Sequence, residues 1–76
     1  MPKVTVFSQP GCVPCKKVKT WFDAKGVEYV ERDVTQDPEA LAHIRSLGHM
    51  GVPVVETPNK NWVGINLDNM KELVNA

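Results

Sequence analysis

Two cysteines stand three residues apart, at Cys12 and Cys15, and the chain has no others. They lie in the stretch Ser8-Gln9-Pro10-Gly11-Cys12-Val13-Pro14-Cys15-Lys16, after a short apolar run and before an amphipathic one. The pair therefore falls where a strand hands over to a helix. On an α-helix, residues three apart share a face, with Cβ atoms about 5–6 Å from one another. A disulfide needs Cα atoms roughly 4.4–6.8 Å apart, so the two thiols can close into a bond and reopen with little backbone movement. Cys12 falls among the first amides of the helix, which have no partner within it. Their dipoles favour a thiolate, the form of sulfur that attacks. Cys15 lies one turn further in, towards the sheet and less exposed. Cys12 is the candidate nucleophile and Cys15 the candidate resolving thiol. The bland alternatives are a structural pair, or half of a zinc site completed by His43 and His49. A CxxC beside a βαβ pattern points to redox chemistry instead.

The remaining sequence supplies that pattern. Val4-Thr5-Val6-Phe7 is short, β-branched and apolar on both faces, which suits a central strand covered on both sides. From Val13 to Lys25, the residues Cys15, Val18 and Phe22 fall at helical spacing with Trp21 alongside, and Lys16, Lys17 and Lys19 take the other face. Pro14 is tolerable because it lies in the first turn, and Gly26 ends the helix. Val27 to Val34 reads as a half-exposed second strand, with Tyr29 and Val30 buried on opposite faces. Strand, helix and strand with short links make a parallel pair with a right-handed crossover.

Asp37-Pro38 then gives an N-cap and a first-turn proline. Leu41, Ile44 and Leu47 follow on one face, and Gly48 closes this second helix. Val52-Pro53-Val54-Val55 is the next strand, with Pro53 at its start and a candidate for a cis bond. Thr57-Pro58-Asn59-Lys60 forms a turn, and Asn61-Trp62-Val63 returns antiparallel. Asn66 caps a last helix whose apolar side is Leu67, Met70, Leu73 and Val74. The order, βαβ then αββα, gives an α/β fold with a four-stranded mixed sheet and helices on both faces.

Composition narrows the functional classes. A chain of 76 residues is read as one domain, 1–76, with a modest core. Charged residues make up 24% and balance to zero, which argues against a nucleic-acid footprint and against disorder. No apolar run approaches the roughly 20 residues that span a bilayer, and the first residues lack the apolar core of a signal peptide. The expectation is a cytoplasmic monomer, where a lone cysteine pair is more often catalytic than a staple.

The whole pattern, from about Val4 to Leu73, resembles the thioredoxin fold in its small glutaredoxin form, and within it the NrdH-type redoxins. Three stretches carry the narrower likeness. Cys12-Val13-Pro14-Cys15 is similar to that group's Cys-Val-Gln-Cys, and Gly51-Val52-Pro53-Val54-Val55 to its cis-proline loop. Trp62-Val63-Gly64-Ile65-Asn66-Leu67-Asp68 is similar to its Trp-Ser-Gly-Phe-Arg-Pro-Asp, though four of the seven residues differ. The resemblance implies a thioredoxin fold with three helices and a dithiol–disulfide oxidoreductase with no bound cofactor or metal. Its redox centre would be the Cys12–Cys15 disulfide. Electrons would pass from NADPH through thioredoxin reductase to class Ib ribonucleotide reductase, or to another protein disulfide. It also implies partner-binding roles for Val13, Pro14, Val52, Pro53, Trp62, Gly64 and Asp68.

Two features depart from glutathione-using glutaredoxins, which resemble this chain in the same regions. Gln9 stands where they commonly carry a basic residue, and Val63-Gly64 replaces their Gly-Gly pair. Pro14 departs from both redoxin patterns and is a thioredoxin trait. It implies a potential nearer thioredoxin's roughly −270 mV than the glutaredoxin range of about −200 to −230 mV. A glutathione-dependent glutaredoxin and a general thioredoxin-like reductant remain the rival readings.

Overall fold

The computed structural model describes residues 3–75. In chain order its elements are β1 (Thr5–Ser8), α1 (Val13–Lys25), β2 (Val30–Asp33), α2 (Pro38–Ser46), β3 (Val54–Glu56), β4 (Asn61–Val63) and α3 (Leu67–Asn75). The four strands form one sheet in the order β2-β1-β3-β4. β1 pairs parallel with β2 and antiparallel with β3, and β3 pairs antiparallel with β4. This is the mixed sheet expected, with β1 in its interior.

Side chains alternate across a strand, and β1 shows the consequence. Val6 points to one face, where Val18 and Phe22 of α1, Val55, Trp62 and Met70 of α3 pack around it. Phe7 points to the other, among Val34, Val54 and Ala40 and Ile44 of α2. Two helices thus cover one face and one covers the other. Both cores are small, so each large side chain in them counts.

The helix ends follow the local chemistry. Gly26 closes α1 in the left-handed region at φ 71°, and its amide bonds to Asp23 and Phe22 carbonyls, a conformation that costs glycine nothing sterically. Asp37 caps α2 by accepting the Ala40 amide at 3.1 Å, and its other oxygen accepts from Arg32 at 2.8 Å. That Arg32 guanidinium, first, and the Ala40 amide, second, hold the Asp37 carboxyl below its ordinary range. Asn66 caps α3 through the Asn69 amide at 3.1 Å.

Five details correct the sequence reading. β1 starts and ends one residue later than Val4–Phe7. The second strand pairs only over Val30–Asp33, not Val27–Val34, because it is an edge strand whose sole partner is the four-residue β1. Val30 is not buried but 43% exposed. It shares a face with Thr5 and Phe7, and the nine-residue α2 packs on Phe7 without reaching it. β3 begins at Val54 rather than Val52, since Pro53 has no amide to give the ladder. On α3, Met70 is fully buried and Leu73 half-buried, while Leu67 and Val74 are 47% and 40% exposed.

Phe22 joins α1 to the sheet and is fully buried. Phe22→Ala should cost about 3–5 kcal/mol, read as a lower urea midpoint with unchanged slope. A loss below about 1 kcal/mol would show that α1 is held mainly by other contacts.

Candidate redox site

Cys12 is the N-cap of α1. Its backbone is extended, at φ −85° and ψ 106°, and its Sγ accepts the Cys15 amide at 3.1 Å. The turn ahead is closed by the Cys12 amide on the Gln9 carbonyl at 3.4 Å. A cap side chain ordinarily accepts from the second or third helical amide. Cys15 is the third, and Pro14, the second, has none to offer. The sulfur therefore holds one donor where the geometry allows two.

Cys12 and Cys15 are joined as a disulfide with their Cα atoms 5.2 Å apart. Cys15 is 1% exposed, on the inner side of α1 with Val18 and Phe22, whereas Cys12 is half-buried. This is the inner and outer arrangement expected from the spacing. A pair so placed can exchange two electrons by breaking and remaking one sulfur–sulfur bond, and only the outer sulfur is within a partner's reach.

Facing it, the Val52–Pro53 peptide is cis. Pro53 is fully buried, and its carbonyl accepts the Gly64 amide at 2.7 Å. Gly64 has φ 82°, a value glycine adopts freely. A groove of about 590 Å³ runs over Cys12, lined by Gln9, Gly11, Val13, Pro14, Val34, Leu41, Ile44, Met50, Gly51 and Val52. Of the residues singled out in the sequence, the groove brings together Cys12, Val13, Pro14 and Val52, and the hydrogen bond brings Gly64 to Pro53. Asp68 stands exposed in the first turn of α3. Trp62 is 6% exposed within the α1–α3 core, so its ring has little to present to a partner. Its Nε1 is buried without a hydrogen-bond partner among the described residues.

The histidines do not turn to the cysteines. His43 Nε2 meets the Glu56 carboxylate at 2.9 Å, and His49 Nε2 meets Asn61 Oδ1 at 2.7 Å. Among the described residues, no three of His, Cys, Asp and Glu gather as a metal-binding set. No helix there is long and apolar enough to cross a membrane.

Sequence reasoning missed the other side of the site. A crevice of about 150 Å³ opens beside Cys12, lined by Ser8, Gln9, Pro10, Gly11, Lys16, Lys19, Glu31 and Asp33. In it Glu31 Oε2 accepts from the buried Ser8 hydroxyl at 2.7 Å and from Lys19 at 2.6 Å. The Lys19 ammonium, first, and the Ser8 hydroxyl, second, hold the Glu31 carboxyl below its ordinary range. One carboxylate thereby ties β2 to β1 and α1 at the base of the reactive turn. A polar Ser8 ending an apolar strand just ahead of the cysteines was the available signal.

Topology and site together define a thioredoxin fold that carries out dithiol–disulfide exchange. The glutaredoxin family model matches residues 4–62, which include both cysteines and Pro53. The chain belongs to the glutaredoxin family. "Gene 56 protein" of Mycobacterium phage L5 is 40% identical over 73 residues, 93% of this chain and 71% of the relative. A glutaredoxin-like 8.6 kDa protein in the rubredoxin operon of Clostridium pasteurianum is 31% identical over 72 residues, 93% and 96% of the two chains. Among solved structures, the NrdH-redoxin of Escherichia coli superimposes with a TM-score of 0.88 at 27% identity, over 92% of both chains.

Glu31 gives the site a pH signature. Its carboxyl is depressed in the folded protein, so the stability it contributes is present above the unfolded carboxyl value of about 4.3. That contribution is lost as pH falls through the lower folded value. Glu31→Gln should lower the urea midpoint at pH 7, and the gap to the parent should close below pH 4. A gap that is unchanged at pH 3 would remove the carboxylate from this role.

Proposed function

We propose that this protein carries electrons to a disulfide in another protein. The receiving enzyme is class Ib ribonucleotide reductase, and the donor is thioredoxin reductase, fed by NADPH. The observation that carries the exchange reading is the Cys12 sulfur on the opening turn of α1, half-exposed and hydrogen-bonded to the Cys15 amide. The choice of partners rests on the likeness to the NrdH-redoxin, a glutaredoxin-like protein described as having a thioredoxin-like activity profile.

The reaction begins with both thiols reduced. Cys12, as thiolate, attacks one sulfur of the substrate disulfide, forming a mixed disulfide and expelling the other substrate sulfur as a thiolate. Cys15 loses its proton and attacks Cys12 Sγ, and the second substrate sulfur leaves. The substrate gains two electrons and two protons, and the protein retains the Cys12–Cys15 disulfide for the reductase to reopen. Val13, Pro14 and Val52 frame the groove in which the substrate chain lies against Cys12, with the buried Pro53 next to Val52 at its edge, and Gly64 and Asp68 extend the surface offered to the reductase.

Glutathione is the competing reductant by family membership. Against it stand Gln9, exposed at the groove where a cation would meet a glutathione carboxylate, and the exposed Val63 ahead of Gly64. The missing charge-assisted hydrogen bond is worth about 1.5–3 kcal/mol.

The test is NADPH consumption coupled to thioredoxin reductase, and separately to glutathione with its reductase. Turnover is expected in the first system, and turnover only in the second would hand the site to glutathione. Cys12→Ser should be inactive, and Cys15→Ser should accumulate the mixed disulfide, seen as a mass increment; a Cys12→Ser variant that still cycles would end the proposal.

The potential makes a separate test. Pro14 withholds a donor from the Cys12 sulfur, which disfavours the thiolate and so the reduced pair. We expect a value near −270 mV, and Pro14→Gln should raise it by tens of millivolts, about 30 mV for each 1.4 kcal/mol gained by the thiolate. Equilibration against a glutathione couple measures both. A parent value above about −230 mV would overturn the expectation.

A further inference from the structure

We propose that the solvent face of α1, with the adjoining edge of α3, docks an acidic segment of the protein whose disulfide Cys12 attacks. The inference rests on the exchange reaction proposed above. It starts from two shallow depressions that meet at Trp21. The first, about 420 Å³, is lined by Val13, Lys16, Lys17, Thr20, Trp21 and Ala24. The second, about 170 Å³, is lined by Trp21, Lys25, Lys71 and Val74.

Every ionisable group lining the two is a lysine. Among the described residues, the lysines and arginines with a carboxylate partner lie elsewhere: Lys19 pairs with Glu31, Arg32 with Asp37 and Lys60 with Glu72. Among the described residues, none of Lys16, Lys17, Lys25 and Lys71 has a carboxylate within 4.0 Å. Asp23, the one acid on α1, accepts from the Tyr29 hydroxyl at 3.2 Å. The chain's net charge is zero, so this face is charge set apart rather than a general excess.

The floor between the lysines is apolar. Val13 is 60% exposed, and the Lys25 ammonium lies 5.8 Å from the Trp21 ring centroid. A cationic rim around an apolar floor fits a segment whose carboxylates flank an apolar anchor. Continuity with the exchange site selects a disulfide-bearing partner over a nucleic acid or a membrane. Val13 lines both this surface and the groove over Cys12. From Val13 to Lys25 the helix rises about 18 Å, which an extended chain crosses in about six residues. The acidic segment should therefore lie within about six residues of the partner's reactive cysteine.

The probes are two synthetic peptides, each with one cysteine held as a mixed disulfide with 2-mercaptoethanol. One carries a six-residue arm of alternating Glu and Leu, and the other has Gln in place of each Glu. The readout is the ratio of their second-order reduction rates by the dithiol protein, so a general change in reactivity cancels. At low salt the Glu peptide should react about tenfold faster. The ratio should fall towards one in about 0.5 M salt and in K17E/K71E, with K17Q/K71Q between. A ratio near one in the parent, or one unmoved in K17E/K71E, overturns the surface. Reduction of neither peptide would instead refute the exchange reading. The surface is then judged alone by the Trp21 indole N–H shift of the oxidised protein with a cysteine-free Glu peptide. A shift lost in K17E/K71E upholds the surface. No shift overturns it, as does a shift with a short oligonucleotide or anionic vesicles but not with the peptide.

Discussion

The hydrogen bond from the Cys15 amide to Cys12 Sγ, at 3.1 Å, does two jobs with one atom. It closes the first turn of α1, a task usually given to an oxygen of Ser, Thr, Asp or Asn. It also places a sulfur where unpaired amides and the helix dipole favour negative charge. Sulfur is a weak acceptor as a thiol and a good one as a thiolate. The helix end and the reactive ion therefore support each other. Pro14 weakens the arrangement by one donor while fixing the backbone of the same turn, so the chain gives up some thiolate stabilisation for stiffness.

That hydrogen bond is useful only if α1 starts at a fixed place above the sheet. Three elements fix it. Val18 and Phe22 seat the helix on Val6 and Val55. Lys19, one turn beyond Cys15, reaches the Glu31 carboxylate on β2, and the same carboxylate holds Ser8 at the end of β1. The loop across the groove is tied independently, by the Gly64 amide on the Pro53 carbonyl. Each wall of the site is thus anchored to its own strand. The parallel β1–β2 pair and the antiparallel β3–β4 hairpin meet at the groove because β1 is bonded to both β2 and β3.

What could be read from the chain is what local chemistry decides. The CxxC spacing, the Pro14 position, the Gly26 stop and the Asp37-Pro38 start each act within one turn of backbone, and each was legible. The hairpin at Thr57 to Lys60 was legible for the same reason. Contacts between distant residues were not. Ser8 and Glu31 are 23 residues apart and Lys19 and Glu31 are 12 apart; their meeting depends on the register of β1 against β2, which no periodicity reveals. Val30 misled because an apolar residue in a strand pattern looks buried, whereas the length of α2 decides whether anything covers it. Trp62 shows the same dependence: its bulk suggests packing and a motif likeness suggests contact, and only its position opposite Val55 in the sheet places the ring in the core.

The division of the two sulfurs between inside and outside explains how so short a chain can carry a reactive centre. Cys15 is 1% exposed in a row with Val18 and Phe22. As a protonated thiol it behaves as a small apolar side chain, so opening the disulfide adds no buried charge to a core with little to spare. A thiolate at Cys12 would sit instead at a helix end, with an amide already directed at it and solvent on its other side. Had the order been reversed, with the inner sulfur as the ion, its desolvation would have opposed both reactivity and folding. The spacing of three residues satisfies both demands: near enough for a bond, and rotated just far enough to leave one sulfur in the core and the other at the surface.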